Sequence, residues 1–191
     1  GMSSAPRLPS EFGYAGLRMT AREFLALGET QERLELVDGI VCMSPRPTPL
    51  HQLVLVAIQR QLDRYIDANP GAVYFPDADL ELGPGIVYSP DIACYKAGRI
   101  RGVPASLTAA PDLVIEILSP STSAFDFTTK RDDYERAGAG EYWIIDPHDG
   151  RVRQYVREGD MLIERAANQA CVTSASLPDF MLDTAPIRDL S

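Results

Sequence analysis

Three acidic residues stand inside or at the ends of short apolar runs that have the composition of β-strands. Glu35 and Glu116 are flanked on both sides by aliphatic residues, and Asp91 follows Pro90 at the start of another apolar run. Burying a carboxylate among apolar side chains costs free energy unless the group is paired or binds a cation. The chain is therefore expected to fold so that these acids hold a metal ion.

The length of 191 residues and the hydrophobic content of 45% are enough for one good core, which predicts a single domain. Gly1 before Met2 resembles an expression scar, and the residues after it are rich in proline, serine and glycine. We therefore expect residues 1–17 to be disordered or loosely packed and residues 18–191 to form the domain. No signal peptide is visible, and no apolar run approaches the roughly 20 residues that cross a bilayer, so no membrane partner is expected.

The acidic balance of the chain restricts its partners. A formal net charge of −9 and a pI near 4.7 argue against a broadly basic nucleic-acid clamp. The basic residues form three clusters in the sequence, and each cluster taken alone is best interpreted as solvated surface charge. These clusters are Lys96, Arg99 and Arg101; Lys130 and Arg131; and Arg151, Arg153 and Arg157. The three cysteines are far apart in apolar contexts, which indicates reduced core residues of a cytoplasmic protein.

Capping and turn residues predict the elements of the N-terminal part. Thr20 and Glu23 have the spacing of a capping box at the start of a short helix. Asp38-Gly39 is a preferred two-residue hairpin turn between two short strands. Thr48 has N-cap chemistry for a long helix over residues 49–68. His51 lies at the edge of the apolar stripe of that helix, and we interpret it as a capping or packing residue in preference to a ligand.

The second half of the chain predicts strands alternating with one helix. Pro90 predicts a bend in a strand over residues 86–95, and this bend would change the direction in which the Asp91 side chain points. The nearly continuous apolar run 113–118 is typical of a sheet centre that is covered on both faces. Asp112, just before that run, is interpreted as a turn or strand-entry residue. Strands and flanking helices together predict an α/β or α+β fold.

A helix is predicted from Asp126, as N-cap, to about Gly138. Phe127, Lys130 and Tyr134 share one face of this helix by the three-and-four spacing. Lys130 is therefore predicted to point toward whatever that face covers.

Two blocks of the sequence form specific motifs, Glu116-Ile117-Leu118-Ser119-Pro120-Ser121-Thr122 and Glu141-Tyr142-Trp143-Ile144-Ile145-Asp146-Pro147. They occur together with Glu35-Leu36-Val37-Asp38-Gly39, His51-Gln52, Ser89-Pro90-Asp91, residues 111–115, Asp126, Lys130, Tyr134 and Gly140. With these blocks the chain resembles, over about residues 18–188, the Uma2 family, which belongs to the restriction-endonuclease-like, PD-(D/E)XK superfamily.

The resemblance implies a bent mixed β-sheet flanked by helices, with Mg²⁺ or Mn²⁺ held by acids of the central strands. Asp91 matches the first motif aspartate of the superfamily, Glu116 the second motif acid, and Glu35 the acid from the N-terminal part. A hard divalent cation prefers such oxygen ligands and can activate water for attack on phosphorus. The implied activity is metal-dependent endonuclease cleavage, with DNA as the expected partner and a homodimer as a candidate assembly.

One departure from the superfamily pattern leaves two functions open. The motif lysine usually stands two residues after the second acid, but that position is Leu118. Lys130 is the best substitute and Lys96 the second choice, because a lysine from the next helix could stabilise developing charge on the phosphate. The displaced lysine and the acidic pI favour a non-catalytic nuclease-fold module that binds nucleic acid or protein. The three retained acids favour the nuclease.

Overall fold

The computed structural model describes residues 13–191, which form two compact units. The first unit contains residues 13–46 and Glu81–Tyr88, and the second contains Pro47–Leu80 and Ser89–Ser191. Each unit has its own cluster of buried apolar side chains. Most of the segment predicted to be disordered or loosely packed lies outside the described residues. From Gly16, whose N–H donates to the Val41 carbonyl over 2.8 Å, the chain is hydrogen-bonded to a strand.

Twelve strands, five α-helices and one π-helical turn make up the described part of the chain. In chain order these are α1 (Ala21–Leu25), β1 (Arg33–Val37), β2 (Ile40–Ser44), α2 (Pro49–Ala68), β3 (Val73–Pro76), β4 (Leu80–Gly83), β5 (Ile86–Tyr88), β6 (Ile92–Tyr95), β7 (Leu113–Ile117), α3 (Ser123–Phe125), the π-helical turn (Asp126–Lys130), α4 (Arg131–Ala137), β8 (Glu141–Ile145), β9 (Val152–Glu158), β10 (Met161–Arg165), β11 (Cys171–Thr173), β12 (Met181–Asp183) and α5 (Ala185–Arg188). None of the helices within residues 13–191 combines the length and the apolar character that a membrane crossing requires.

The first unit is built on a four-stranded sheet with the order β2-β1-β5-β4. The predicted hairpin joins β1 to β2, and Asp38 and Gly39 have the positive φ angles, 50° and 79°, that a two-residue hairpin turn of this type requires. The predicted capping box begins α1, since the Thr20 hydroxyl accepts the Glu23 N–H over 3.1 Å. Apolar side chains of α1 and of the strands, Phe24 and Leu36 among them, form the core of this unit.

The second unit is built on a six-stranded mixed sheet with the order β10-β9-β8-β7-β6-β3. Strands β7 and β8 are parallel, and the other neighbours are antiparallel. Every residue of β7 and β8 is buried, as the continuous apolar run predicts for a sheet centre. The helix predicted over residues 49–68 is α2, with Thr48 as its N-cap.

The two faces of β7 have different chemistry. Leu113, Ile115 and Ile117 pack in one apolar cluster with Ile58 and other side chains of α2. Because side chains alternate along a strand, Glu116 faces the opposite side of the sheet. There it contacts Lys130 and Tyr134, from the π-helical turn and α4. One acid therefore interrupts an otherwise apolar central strand on a single face.

The strand predicted over residues 86–95 is two strands. β5 pairs within the four-stranded sheet, β6 pairs within the six-stranded sheet, and Ser89-Pro90-Asp91 separates them. Pro90 has no N–H to donate to a ladder, so the pairing ends where the sequence predicts only a bend. Asp91 is consequently a loop residue at the start of β6.

The interpretation of Asp126 as a helix N-cap is wrong. The helix begins earlier, at Ser123 after the N-cap Thr122, and Asp126 is the first residue of the π-helical turn. Its side chain is only 3% exposed. The predicted C-terminus is confirmed, because Gly138 ends α4 in the left-handed conformation with φ 92°.

The cysteines only partly fit their predicted role as core residues. All three are free thiols; Cys94 is buried and Cys171 is half-buried, but Cys42 is exposed. Burial raises the pKa of the Cys94 thiol far above its ordinary value.

Candidate active site

Asp91 and Glu116 are joined by a reciprocal pair of hydrogen bonds. The Asp91 N–H donates to Glu116 Oε1 over 3.0 Å, and the Ile117 N–H donates to Asp91 Oδ2 over 2.7 Å. Strand register causes this, because Ile92 pairs with Ile115 and the residue before Ile92 therefore lies opposite Glu116. The side chains of both acids are almost completely buried. The structure thus brings together the two acids that the sequence places at the centre of the site.

Lys130 contacts Glu116, the second of these acids. Its Nζ donates to Glu116 Oε2 over 2.8 Å, and it lies 3.9 Å from Asp126 Oδ1. The Tyr134 hydroxyl donates to the same Glu116 oxygen over 3.2 Å. Lys130 and Tyr134 therefore share a face, as the helix spacing predicts. Phe127 does not contribute to that cluster, since its ring packs under the guanidinium of Arg153 at 4.8 Å.

The π-helical turn explains why Phe127 departs from the predicted face. A π-helix has more residues per turn than an α-helix, so side chains before and after it are rotated away from the three-and-four spacing. The turn contains both Asp126 and Lys130, which are buried at 3% and 6% exposure. Such turns are frequent at functional sites.

His51 contacts the first acid, which the sequence interpretation did not foresee. Its Nε2 lies 3.1 Å from Asp91 Oδ1. The predicted capping role belongs to Thr48, whose hydroxyl accepts the His51 backbone N–H over 3.1 Å. His51 Nδ1 is buried, and no atom of residues 13–191 forms a hydrogen bond with it. The signal in the sequence was a histidine at the edge of an apolar helix stripe, which by itself does not identify a partner.

Asp126 is the second residue that the sequence interpretation missed. Besides facing Lys130, its Oδ2 accepts a long hydrogen bond of 3.4 Å from Thr122. Its backbone carbonyl accepts the Tyr142 hydroxyl over 3.1 Å. Complete burial, followed by the charges of Glu116 and Asp126, raises the pKa of Tyr142 well above its ordinary value. The phenol therefore stays a hydrogen-bond donor at neutral pH.

Glu35 belongs to the first unit, where it is 7% exposed. The Ser44 hydroxyl donates to its Oε1 over 3.2 Å. Burial and, to a smaller extent, the Glu35 charge raise the pKa of the neighbouring Cys42 thiol. The role of Glu35 as a metal ligand stays a prediction.

Lys96 and two aspartates near strand ends, Asp112 and Asp146, have structural roles. Lys96, the second-choice lysine, is exposed, and its backbone N–H donates to Asp112 over 2.8 Å. Asp112 also pairs with Arg99 over 3.0 Å, so it organises the start of β7 as predicted. Asp146 accepts the His148 N–H over 2.9 Å in the turn after β8.

The donor chemistry of the site suits a hard divalent cation. The buried carboxylates of Glu116 and Asp126 face the ammonium of Lys130, and the buried carboxylate of Asp91 accepts a hydrogen bond from the strand that carries Glu116. An excess of negative charge in a buried site favours binding of a cation. Within residues 13–191, no group of three or more histidine, cysteine, aspartate or glutamate side chains has the arrangement of a metal centre. Mg²⁺ commonly binds through one or two carboxylates and fills its remaining positions with water and substrate phosphate. A pair of carboxylates is compatible with that kind of site.

Comparison with known proteins identifies a family and a solved structure to which this chain is similar. The model of the Uma2 family, described as "Putative restriction endonuclease", matches residues 21–185. The chain is also similar to a crystal structure described as a "putative nuclease belonging to DUF820" from Anabaena variabilis, at 23% sequence identity and a TM-score of 0.74. That match covers 90% of this chain and 98% of the other, and at this identity it shows the fold alone. No curated protein matches the sequence.

Proposed function

The chain belongs to the Uma2 family of "putative restriction endonucleases", and we propose that it is a metal-dependent endonuclease that hydrolyses phosphodiester bonds, with DNA as its substrate. The observation that carries the proposal is the contact of 2.8 Å between Lys130 Nζ and Glu116 Oε2. A lysine from the following helix here reaches the second acid, although Leu118 occupies the usual position of the motif lysine. In this proposal Asp91, Glu116 and Lys130 act as the three side chains of the superfamily motif, and the contacts of Glu116 with the Asp91 N–H and with Lys130 support it.

Asp91 and Glu116 would hold the cation, Mg²⁺ or Mn²⁺. When bound, such an ion supplies positive charge to a phosphate and lowers the pKa of a coordinated water. The backbone N–H groups of Asp91 and Ile117 fix the two carboxylates, so their oxygens need little reorganisation to accept a ligand. Glu35 is proposed as a further acid of the site.

Lys130 would stabilise the charge that develops on the phosphate. Its side chain is only 8% exposed, and an ammonium group acts more strongly on a neighbouring anion when water is excluded. Asp126 and Tyr134 support this arrangement from the same helical segment, by facing Lys130 and by donating to Glu116, respectively. The ammonium is consequently held at the site before any substrate arrives.

The setting of this activity is part of the proposal. Free cysteines at all three positions favour a reducing compartment, which supports the cytoplasm as the location. A homodimer would bring two sites to one duplex, and sedimentation analysis at micromolar concentration would reveal it.

Cleavage assays with matched variants test the proposal. Wild type, Glu116→Ala and Lys130→Ala should be incubated with Mn²⁺ and plasmid, single-stranded DNA or RNA. The chain has two lysines, so Lys96→Ala is the natural control for Lys130→Ala. Glu164→Ala, which removes an exposed acid, controls for Glu116→Ala. Circular dichroism of each variant verifies that it is folded.

We expect metal-dependent cleavage that Glu116→Ala abolishes and that both control variants retain. Lys130→Ala should slow cleavage by about 10²–10³-fold with little change in Mn²⁺ affinity, because one stabilising group for transition-state charge is lost. Cleavage unchanged in Lys130→Ala would keep the nuclease and discard the lysine assignment. Absence of cleavage by wild type on every substrate would favour the alternative, a nuclease-fold module that binds nucleic acid or protein without catalysis.

A further inference from the structure

The carboxylate of Asp91 has a nitrogen atom within hydrogen-bond distance of each of its two oxygens. Ile117 N–H donates to Oδ2 over 2.7 Å, and His51 Nε2 lies 3.1 Å from Oδ1. The side chains of His51 and Asp91 are 13% and 9% exposed, so water has little access to the contact. The backbone group belongs to β7 and the histidine to the first turn of α2. The orientation of this acid is therefore determined from two different elements.

The surroundings of the imidazole indicate which nitrogen carries the proton. His51 Nδ1 is buried and has no hydrogen-bond partner in the part of the chain that the structure describes. A proton on Nδ1 would create a buried N–H without an acceptor, and buried N–H groups are rarely left unsatisfied. With the proton absent from Nε2, a nitrogen lone pair would also face Asp91 Oδ1 at 3.1 Å. Both costs disappear when the proton is on Nε2.

We propose that His51 is a positioning residue that donates its Nε2–H to Asp91 Oδ1 and so orients the first acid of the site toward the metal ion. The part of this inference that concerns metal rests on the proposed function. Each carboxylate oxygen has two lone pairs, so accepting one hydrogen bond leaves room for a cation on the same oxygen. Groups that orient a metal-binding carboxylate in this way commonly change metal affinity by about 10–100-fold when they are removed.

The distance of 3.1 Å between Nε2 and Oδ1 also suits two neighbouring ligands of one ion, so the experiment must separate these roles. Nitrogen-15 NMR of the metal-free protein identifies the protonated ring nitrogen of His51. Pulsed electron paramagnetic resonance of the Mn²⁺ complex detects a coordinated nitrogen. Isothermal titration calorimetry with Mn²⁺ gives the dissociation constant, and none of the three readouts depends on cleavage.

Four proteins are compared: wild type, His51→Ala, His51→Gln and the control His148→Ala, which changes the exposed second histidine. Glutamine keeps an N–H donor near the position of Nε2, whereas alanine removes it. We expect Nε2 to be protonated in the metal-free protein and no nitrogen coupling to Mn²⁺. His51→Ala should weaken Mn²⁺ binding by about 10–100-fold, and His51→Gln should recover most of the affinity.

Four results would overturn the inference: a proton on Nδ1 in place of Nε2, a nitrogen coupling to Mn²⁺ that disappears in His51→Gln, unchanged affinity in His51→Ala, or no recovery in His51→Gln. If wild type binds no Mn²⁺ at all, the proposed function fails. The NMR spectrum of the metal-free protein then still decides whether His51 donates to Asp91, so the two failures are distinguishable.

Discussion

Glu141 is the most completely buried acid of the second unit, and its replacement by glutamine should strongly destabilise the protein. The side chain is 0% exposed and accepts five hydrogen bonds without any cation beside it in the described structure. Oε1 accepts from Ser174 Oγ, Ala175 N and Ser176 N, and Oε2 accepts from Trp143 Nε1 and Gln154 Nε2, all at 2.6–3.0 Å. The residue begins β8, the parallel neighbour of the strand that carries Glu116. It ties the central sheet to the segment before β12.

The expected loss of stability follows from the number of hydrogen-bond donors around the Glu141 carboxylate. Glutamine has the same shape, but its amide nitrogen must replace one carboxylate oxygen and then faces either two or three donors. Each buried donor left without an acceptor costs about 1–3 kcal/mol. Gln154 can turn its own amide to accept from the new one, which relieves part of the cost. We therefore expect Glu141→Gln to lower the free energy of unfolding by about 2–4 kcal/mol, out of a total of about 5–15 kcal/mol.

Urea unfolding followed by tryptophan fluorescence measures this change. Trp143 is the one tryptophan of the chain, and its indole N–H donates to Glu141, so the probe lies at the perturbed position. With a urea dependence of about 2 kcal/mol/M, the midpoint should fall by roughly 1–2 M. The control is Glu164→Gln, because Glu164 is exposed and its carboxylate accepts two hydrogen bonds from Arg153. An exposed pair of this kind contributes at most about 1 kcal/mol.

Equal midpoints for Glu141→Gln and Glu164→Gln would refute the reasoning. Such a result would mean that the donors around Glu141 find other acceptors or water at little cost. A reduced urea dependence, in contrast, would indicate a changed denatured or native state and would require a second probe, such as circular dichroism.

Two further predictions concern ligand and proton linkage. Mn²⁺ at a hundredfold excess over its dissociation constant should stabilise wild type by about 2.7 kcal/mol and raise its melting temperature. Asp91→Ala should abolish that increment while relieving like-charge repulsion in the metal-free protein, and an equal response of wild type and variant in differential scanning fluorimetry would contradict the ligand assignment. For proton linkage, burial raises the pKa of the Cys94 thiol in the folded state. The contribution of this thiol to the free energy of unfolding is therefore complete below the unfolded pKa of about 8.5, and it is lost as the pH rises above that value. Urea unfolding between pH 8 and pH 10 should show stability falling by up to about 1.4 kcal/mol per pH unit from this group, and the slope should be smaller in Cys94→Ala; identical slopes would contradict the assignment.

Local chemistry allowed much of the secondary structure to be predicted. The capping box of α1, the Asp38-Gly39 turn and the N-cap of α2 each depend on residues within one turn of each other, and each is confirmed. The central position of β7 was also predictable, because a continuous apolar strand needs cover on both faces. The final strands β11 and β12 escaped prediction, since each has three residues and no period can be recognised in so short a segment.

The error at Asp126 has a tertiary cause. An aspartate after a polar stretch has good N-cap chemistry, so local reasoning favours it as the first helix boundary. In the folded chain the Asp126 carboxylate faces Lys130, and the Asp126 carbonyl accepts a hydrogen bond from the Tyr142 hydroxyl. Both contacts depend on tertiary packing. The helix therefore begins one turn earlier and continues through a π-helical turn.

The sequence by itself determined the acids, their apolar surroundings and the family to which the chain belongs, because these are properties of residue type and order. Only the tertiary structure decided which groups contact these acids. Strand register places Asp91 opposite Glu116. The π-helical turn brings Lys130 into contact with Glu116, and the first turn of α2 brings His51 into contact with Asp91. Each contact joins different elements, and helix docking and strand pairing depend on burial of the whole core, which no short pattern of residues encodes.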